Sequence, residues 1–171
     1  MDSGDAHTWN AAPERMNLAP AEVHVWLASL ELPDDELSAF AATLDAAERH
    51  RAARYRFARD RRHFIAARGI LRALLGAYLD ASPASIAFAY GAHGKPALAT
   101  SGEQPTLHFK VSHSETCALI AFAHDAEVGV DIEFMRPLDD MDALARAAFS
   151  PRERAALAAL AGTHKHEAFY A

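Results

Sequence analysis

An α+β chain is what the residue pattern predicts, and three observations carry that prediction. Between Leu107 and Glu133 apolar residues alternate with polar ones or cluster in short runs, as in strands. Between Ala58 and Leu79, Phe64, Ile65, Ala67, Leu71, Leu74, Leu75 and Tyr78 recur at helical spacing. After Glu133, helix starts and stops alternate in quick succession.

Taken in order, Val23, Val25 and Leu27 alternate with His24 and Trp26, which predicts a first strand. Leu32-Pro33-Asp34-Asp35 breaks it, and Asp34 or Asp35 is placed to cap a helix over about 36–43. Asp45 is placed to cap a second helix, which carries Glu48, Arg49, Arg51 and Arg54. The long amphipathic helix over 58–79 follows, with a basic first turn. Ser82-Pro83 and Ser85 mark a turn before the short strand Ile86, Phe88, Tyr90. Gly91 to Pro96 is a glycine-bounded turn, and Thr100 to Pro105 a loop. Leu107, Phe109 and Val111 predict a strand ending at Ser112-His113-Ser114, and an apolar run spans Thr116 to Phe122. Val128 to Glu133 predicts a further strand. Asp139 or Asp140 then opens a helix to about Ala148. Ser150-Pro151-Arg152-Glu153 has an N-cap, proline at the first helical position and an acid at the third, and so starts another helix. A last helix opens near His166.

The 171 residues are enough for one domain, or two small packed halves, with a real core. At 51% apolar and 23% charged residues the composition is that of a water-soluble globule. One cysteine, Cys117, excludes an internal disulfide framework; it sits in an apolar run and reads as a core thiol in a reducing compartment. The polar start, residues 1–20, reads as a disordered leader without the basic and apolar regions of a signal peptide. No apolar run is long enough for a bilayer, so a cytoplasmic protein is expected. The net charge of −6 hides an asymmetry: nine of the 17 Lys and Arg residues lie between Arg49 and Arg72. An acidic chain with one basic segment points to a local anion site and away from nucleic acid.

Two spots carry chemistry. On a strand, Asp131 and Glu133 project from one face, with Val130 and Ile132 on the other. Two hard oxygen ligands form a partial Mg²⁺ site, although the pair by itself is better described as the solvated acidic face of a half-buried strand. Ser112-His113-Ser114 sets an imidazole between hydroxyls, without the glycine-flanked elbow of a serine hydrolase. Among the arginines of the long helix most are expected on a solvated face. Lys95, held between Gly94 and Pro96, is by itself an exposed turn lysine. His164 and His166 read as an exposed helix start.

Together, Gly94-Lys95-Pro96, Ser112-His113-Ser114 and Gly129-Val130-Asp131-Ile132-Glu133, in that order, resemble the 4'-phosphopantetheinyl transferases of the Sfp type. Phe57-Ala58-Arg59-Asp60 and Phe149-Ser150-Pro151-Arg152-Glu153 extend the resemblance, which covers roughly residues 22–171. It implies an α+β fold of two pseudo-symmetric halves, here the first half (21–124) and the start of the second (125–171). It implies transfer of 4'-phosphopantetheine from coenzyme A to a serine of an acyl or peptidyl carrier protein. Mg²⁺ would be held by Asp131 and Glu133. Arg59 would grip the 3'-phosphate of coenzyme A, a group that a guanidinium fork suits. Gly94, Lys95, Pro96, Ser112 and His113 would complete the coenzyme site. Lys110 stands where the family usually has Asn.

In the family, the helix opening like Ala168-Phe169-Tyr170 continues into W-x-x-K-E-x-x-x-K, whose Glu supplies a third metal carboxylate and whose lysines hold phosphate. These 171 residues do not contain that motif. The resemblance therefore implies a C-terminally shortened member. Two functions follow from it: a transferase with impaired turnover, or a non-catalytic remnant that binds coenzyme A or a carrier protein.

Overall fold

The structure, a computed structural model, describes residues 9–11, 16–91, 95–99 and 107–170. In chain order its elements are β1 (Val23–Ser29), α1 (Asp34–Thr43), α2 (Ala46–Ala53), α3 (Ala58–Leu79), β2 (Phe88–Tyr90), β3 (Pro96–Leu98), β4 (Leu107–Ser114) and β5 (Cys117–His124). Then come α4 (Met141–Ala148), α5 (Pro151–Ala158) and α6 (Gly162–Tyr170). The mixture of helices with antiparallel sheets is the α+β fold that the sequence predicts. The chain forms two compact units, residues 1–132 and 133–171. The leader read into residues 1–20 and the loop read into 100–105 lie largely or wholly outside the described residues.

The core of the first unit is a three-stranded sheet, β1-β5-β4, antiparallel throughout, with α3 packed on one face. The apolar run 116–122 thus becomes the central strand. Ile120 and Phe122 are fully buried against Leu71 and Leu75 of α3, with Leu107 and Phe109 beside them. β2 and β3 form a separate hairpin, and Phe88 meets Phe109 edge-on at 5.9 Å.

Facing on β1 follows hydrogen-bonding chemistry. His24, Trp26 and Ala28 are half-buried, while Val23, Val25 and Leu27 lie exposed. The indole N–H of Trp26 donates to the Tyr78 hydroxyl at 3.0 Å, and His24 Nδ1 lies 2.6 Å from the same oxygen. Two polar aromatic rings satisfied by one half-buried phenol hold that face against α3. Burial raises the Tyr78 pKa, so the phenol stays neutral.

Local signals set several helix ends. Asp45 and Ser150 each cap a helix in a reciprocal capping box, with Glu48 and Glu153 as partners. α3 ends at Asp80 in the left-handed conformation. Two predicted starts form differently: α1 begins at Asp34 without a side-chain cap, and α4 follows Asp140 likewise. The last helix starts at Gly162, earlier than the sequence suggests.

Two arginines overturn the expectation of a solvated basic face. Arg72 is fully buried and Arg68 nearly so. Arg72 donates to Glu48 Oε2 at 2.8 Å, to Asp45 Oδ2 at 3.2 Å, and to the carbonyls of Pro83 and Ile86. Its charge is tolerated inside because carboxylates and carbonyl oxygens surround it. Spacing explains the placement, since Phe64, Arg68, Leu71, Arg72 and Leu75 share one helix face.

The segment 128–133 is extended but pairs with no strand among the described residues, which corrects the predicted strand. Its alternation survives: Val128, Val130 and Ile132 are half-buried, and Gly129, Asp131 and Glu133 are exposed. Periodicity reports facing, whereas a strand also needs a ladder partner. Cys117, expected in the core, is half-buried, near Thr116 Oγ1.

The second unit is helical. Phe149 packs on Phe169 at 5.2 Å, and Lys165 bridges to Asp142 at 2.9 Å. The Tyr170 hydroxyl donates to the Arg136 carbonyl, which His166 Nε2 also meets at 2.7 Å.

Candidate functional site

A cleft of about 530 Å³ opens in the first unit between the start of α3 and the end of the sheet. α3 contributes Arg59, Asp60, His63, Phe64 and Arg68 to its wall. The α2 side adds Arg51 and Tyr55, β3 adds Pro96, and β4 adds Val111 and His113. Glu115, in the two-residue turn between β4 and β5, completes it. The helix places these groups together because positions 59, 63 and 67 recur on one face. The sheet contributes the alternate residues 111 and 113 for the corresponding reason.

The cleft is rich in positive charge. Arg59 Nη2 meets Glu115 Oε2 at 2.6 Å, and the pair raises the Arg59 pKa further. The Arg51 guanidinium lies 5.3 Å from the Phe64 ring centre, and that of Arg68 lies 5.2 Å from Phe88. Arg68 also ion-pairs loosely with Glu48 at 3.7 Å and donates to Tyr90 at 3.4 Å. His63 is held below its ordinary pKa, first by desolvation and second by the Arg59 charge. Three guanidinium groups and two imidazoles around one concavity suit an anionic, partly aromatic small molecule.

The second constellation lies on the other side of β4. Ser112 alternates with His113 and so points away from the cleft. Its hydroxyl donates to Asp131 Oδ1 at 2.6 Å and accepts the Ile132 backbone N–H at 3.3 Å. Asp131 keeps an exposed carboxylate with one oxygen engaged. Glu133 is exposed and is the first residue of the second unit.

The residues singled out from sequence therefore divide. Arg59, Pro96 and His113 share the cleft. Ser112 and Asp131 are joined to each other, and Lys95 is exposed beside Pro96. Gly94 lies outside the described residues. Arg51, His63, Arg68 and Glu115 escaped the sequence reading. A signal was present for Arg68 in its shared face with Leu71 and Leu75; for Glu115, reached only through a hairpin turn, there was none. Among the described residues no group of three or more His, Cys, Asp or Glu side chains is gathered for a metal. No helix among them is long and apolar enough to cross a membrane.

The α+β fold thus carries an arginine-lined cleft on one side of β4 and a serine-anchored carboxylate on the other. Residues 31–125 match the family model described as "4'-phosphopantetheinyl transferase, N-terminal". The chain is 40% identical over 164 residues to the 4'-phosphopantetheinyl transferase HetI of Nostoc sp., covering 96% of this chain and 69% of that protein. It is 34% identical over 146 residues to a putative 4'-phosphopantetheinyl transferase of Synechocystis sp., covering 85% of this chain and 58% of that one. To the 4'-phosphopantetheinyl transferase AcpT of Escherichia coli it is 39% identical over 99 residues, or 58% and 48% of the two chains. The chain belongs to the 4'-phosphopantetheinyl transferase family. It spans between about half and seven-tenths of the length of these relatives.

Proposed function

We propose that this chain takes part in transfer of the 4'-phosphopantetheine group from coenzyme A to a serine hydroxyl of an acyl or peptidyl carrier protein, in the manner of the Sfp-type enzymes. The observation that carries the proposal is the cleft that brings Arg59, His63, Arg68 and His113 together in a member of this family.

In this reading the Arg59 guanidinium receives the 3'-phosphate of coenzyme A. Pro96 and Lys95 border the nucleotide, and the His113 imidazole donates toward the pyrophosphate. The seryl oxygen attacks the phosphorus that bears the pantetheine arm, and its proton passes to solvent water. A new P–O bond forms, the bond to the other phosphate breaks, and 3',5'-ADP leaves with the electron pair.

Asp131 and Glu133 fit Mg²⁺: both are exposed carboxylates, and Mg²⁺ is commonly held by one or two carboxylates, with water and substrate phosphate completing its shell. When bound, the ion would neutralise charge gathering on the 5'-phosphate of the leaving 3',5'-ADP. Ser112 positions Asp131, and the half-buried Val130 and Ile132 hold the segment beneath it. The runner-up reading, binding of coenzyme A or a carrier protein without turnover, is favoured by a cleft lined entirely within the first unit. A cytoplasmic setting, where coenzyme A is available, belongs to the same proposal.

The test is transfer of a fluorescent pantetheine arm from coenzyme A to a purified apo carrier protein with Mg²⁺, with Asp131→Ala as control. Transfer by the parent that vanishes in the variant supports the proposal. Coenzyme A binding without transfer replaces it with the binding reading, and absence of both removes the coenzyme from the cleft.

A further inference from the structure

Arg59 is not waiting empty-handed. Its guanidinium is engaged by Glu115, which lies 56 residues away in sequence, at 2.6 Å. Both side chains are more than half exposed, so burial does not force the contact. Glu115 occupies the turn of the β4–β5 hairpin with φ of 50°, a left-handed conformation that glycine or asparagine adopts more readily. A β-hairpin turn needs no carboxylate at such a position. Here the turn carries one, on the wall of a cleft that also holds Arg51, Arg59 and Arg68 and a second acid, Asp60. An incoming phosphate meets a carboxylate already occupying its best partner.

We propose that Glu115 is a gate on Arg59: an internal carboxylate that occupies the guanidinium until a phosphomonoester dianion displaces it. The proposal deepens the coenzyme reading and rests on it for the identity of the ligand. The carboxylate sets a threshold. A dianion outcompetes a single carboxylate for the guanidinium fork, whereas a singly charged anion does not gain enough to exchange. Glu115 thereby raises the charge a ligand needs to take the guanidinium: a terminal phosphate dianion engages Arg59, and a single carboxylate does not. Because the pair is exposed, the competition is modest in size and screened by salt.

The experiment is calorimetric titration of the parent chain, Glu115→Gln, Glu115→Asn and Glu115→Asp with coenzyme A, dephospho-coenzyme A and inorganic phosphate at low salt. Glu115→Asn relieves the left-handed backbone, which guards against a misfolded hairpin, and Glu115→Asp keeps the charge while shortening its reach. The gate predicts coenzyme A binding roughly threefold tighter in the Gln and Asn variants, with dephospho-coenzyme A unchanged. Glu115→Asp should move in the same direction. Unchanged or weaker coenzyme A binding in Glu115→Gln overturns the gate, the weaker result making Glu115 a support for Arg59. Equal tightening of both coenzymes also overturns it, as a general charge effect. If neither coenzyme binds but phosphate binds more tightly to Glu115→Gln, the gate stands and the coenzyme reading fails. Should no protein bind phosphate or coenzyme, both fall together.

Discussion

The Ser112 hydroxyl ties the end of β4 to the extended segment behind it, donating to Asp131 at 2.6 Å and accepting from the Ile132 N–H at 3.3 Å. One side chain thus orients the carboxylate and stitches a segment that no strand ladder holds among the described residues. The resemblance to the Sfp type implies a coenzyme contact for Ser112; in this structure its hydroxyl is directed to Asp131 and Ile132, on the face of β4 opposite His113.

Ser112→Ala should therefore affect the metal-dependent step more than coenzyme affinity. Transfer is expected to fall about fivefold and to need more Mg²⁺, the size expected for an exposed hydrogen bond to a charged acceptor. Coenzyme A titration of the same variant should change little. A large loss of coenzyme affinity with an unchanged Mg²⁺ requirement would place Ser112 on the ligand instead.

His63 gives a pH signature. Desolvation and the Arg59 charge lower its pKa, with His113 adding to them and Glu31 and Asp60 opposing. The unfolded chain therefore binds a proton at a higher pH than the folded one does. The stability contribution is complete above the unfolded value of about 6.5 and is lost as pH falls from there toward the folded pKa. His63→Gln should flatten this part of the stability profile, measured by urea unfolding between pH 5 and 8. An anion in the cleft works in the opposite sense and should draw a proton onto His63. Calorimetry in two buffers of different ionisation enthalpy would detect that uptake, and its absence would separate His63 from the ligand.

The buried pair of Arg72 and Glu48 should be costly to break from one side. Glu48→Ala leaves the Arg72 charge with the half-exposed Asp45 as its remaining carboxylate. A loss of about 3–5 kcal/mol is expected, the usual result of stranding a buried charge. Replacing Arg72 and Glu48 together by apolar residues should recover much of it. Urea midpoints of the single and double variants measure both effects.

Gly69 is where α3 lets α1 approach. A Cβ built there would fall 2.2 Å from Phe40 Cβ, so Gly69→Ala forces the two helices apart. The overpacking should cost about 1–3 kcal/mol despite the better helix propensity of alanine. Urea unfolding of Gly69→Ala beside the parent chain measures the loss.

Local signals were legible wherever they acted over a single turn or period. α3 runs over the residues its apolar spacing marks, and the capping boxes at Asp45 and Ser150 form with the acids three positions on. Other features were legible only in part. The alternation over 128–133 reports facing correctly, yet among the described residues no neighbouring strand pairs with it. Val23, Val25 and Leu27 mark β1, but its helix-facing side is chosen by His24 and Trp26, because Tyr78 offers them a common partner. Arg68 and Arg72 resembled solvated arginines because charge ordinarily seeks water; their neighbours Glu48 and Asp45 became available only when α2 packed on α3.

What the sequence by itself determined is the helices, the strands β1, β2 and β4, and the family, with Arg59, His113 and Asp131 as the residues to watch. Those follow from short-range periodicity, from capping chemistry and from motifs that occupy contiguous positions. Tertiary structure decided which of them meet. It set Glu115 against Arg59 and Ser112 against Asp131, and it sorted Ser112 and His113 to opposite sides of one strand. Such pairings depend on a hairpin register and on the docking of α3 against the sheet, contacts between distant residues that no local pattern encodes.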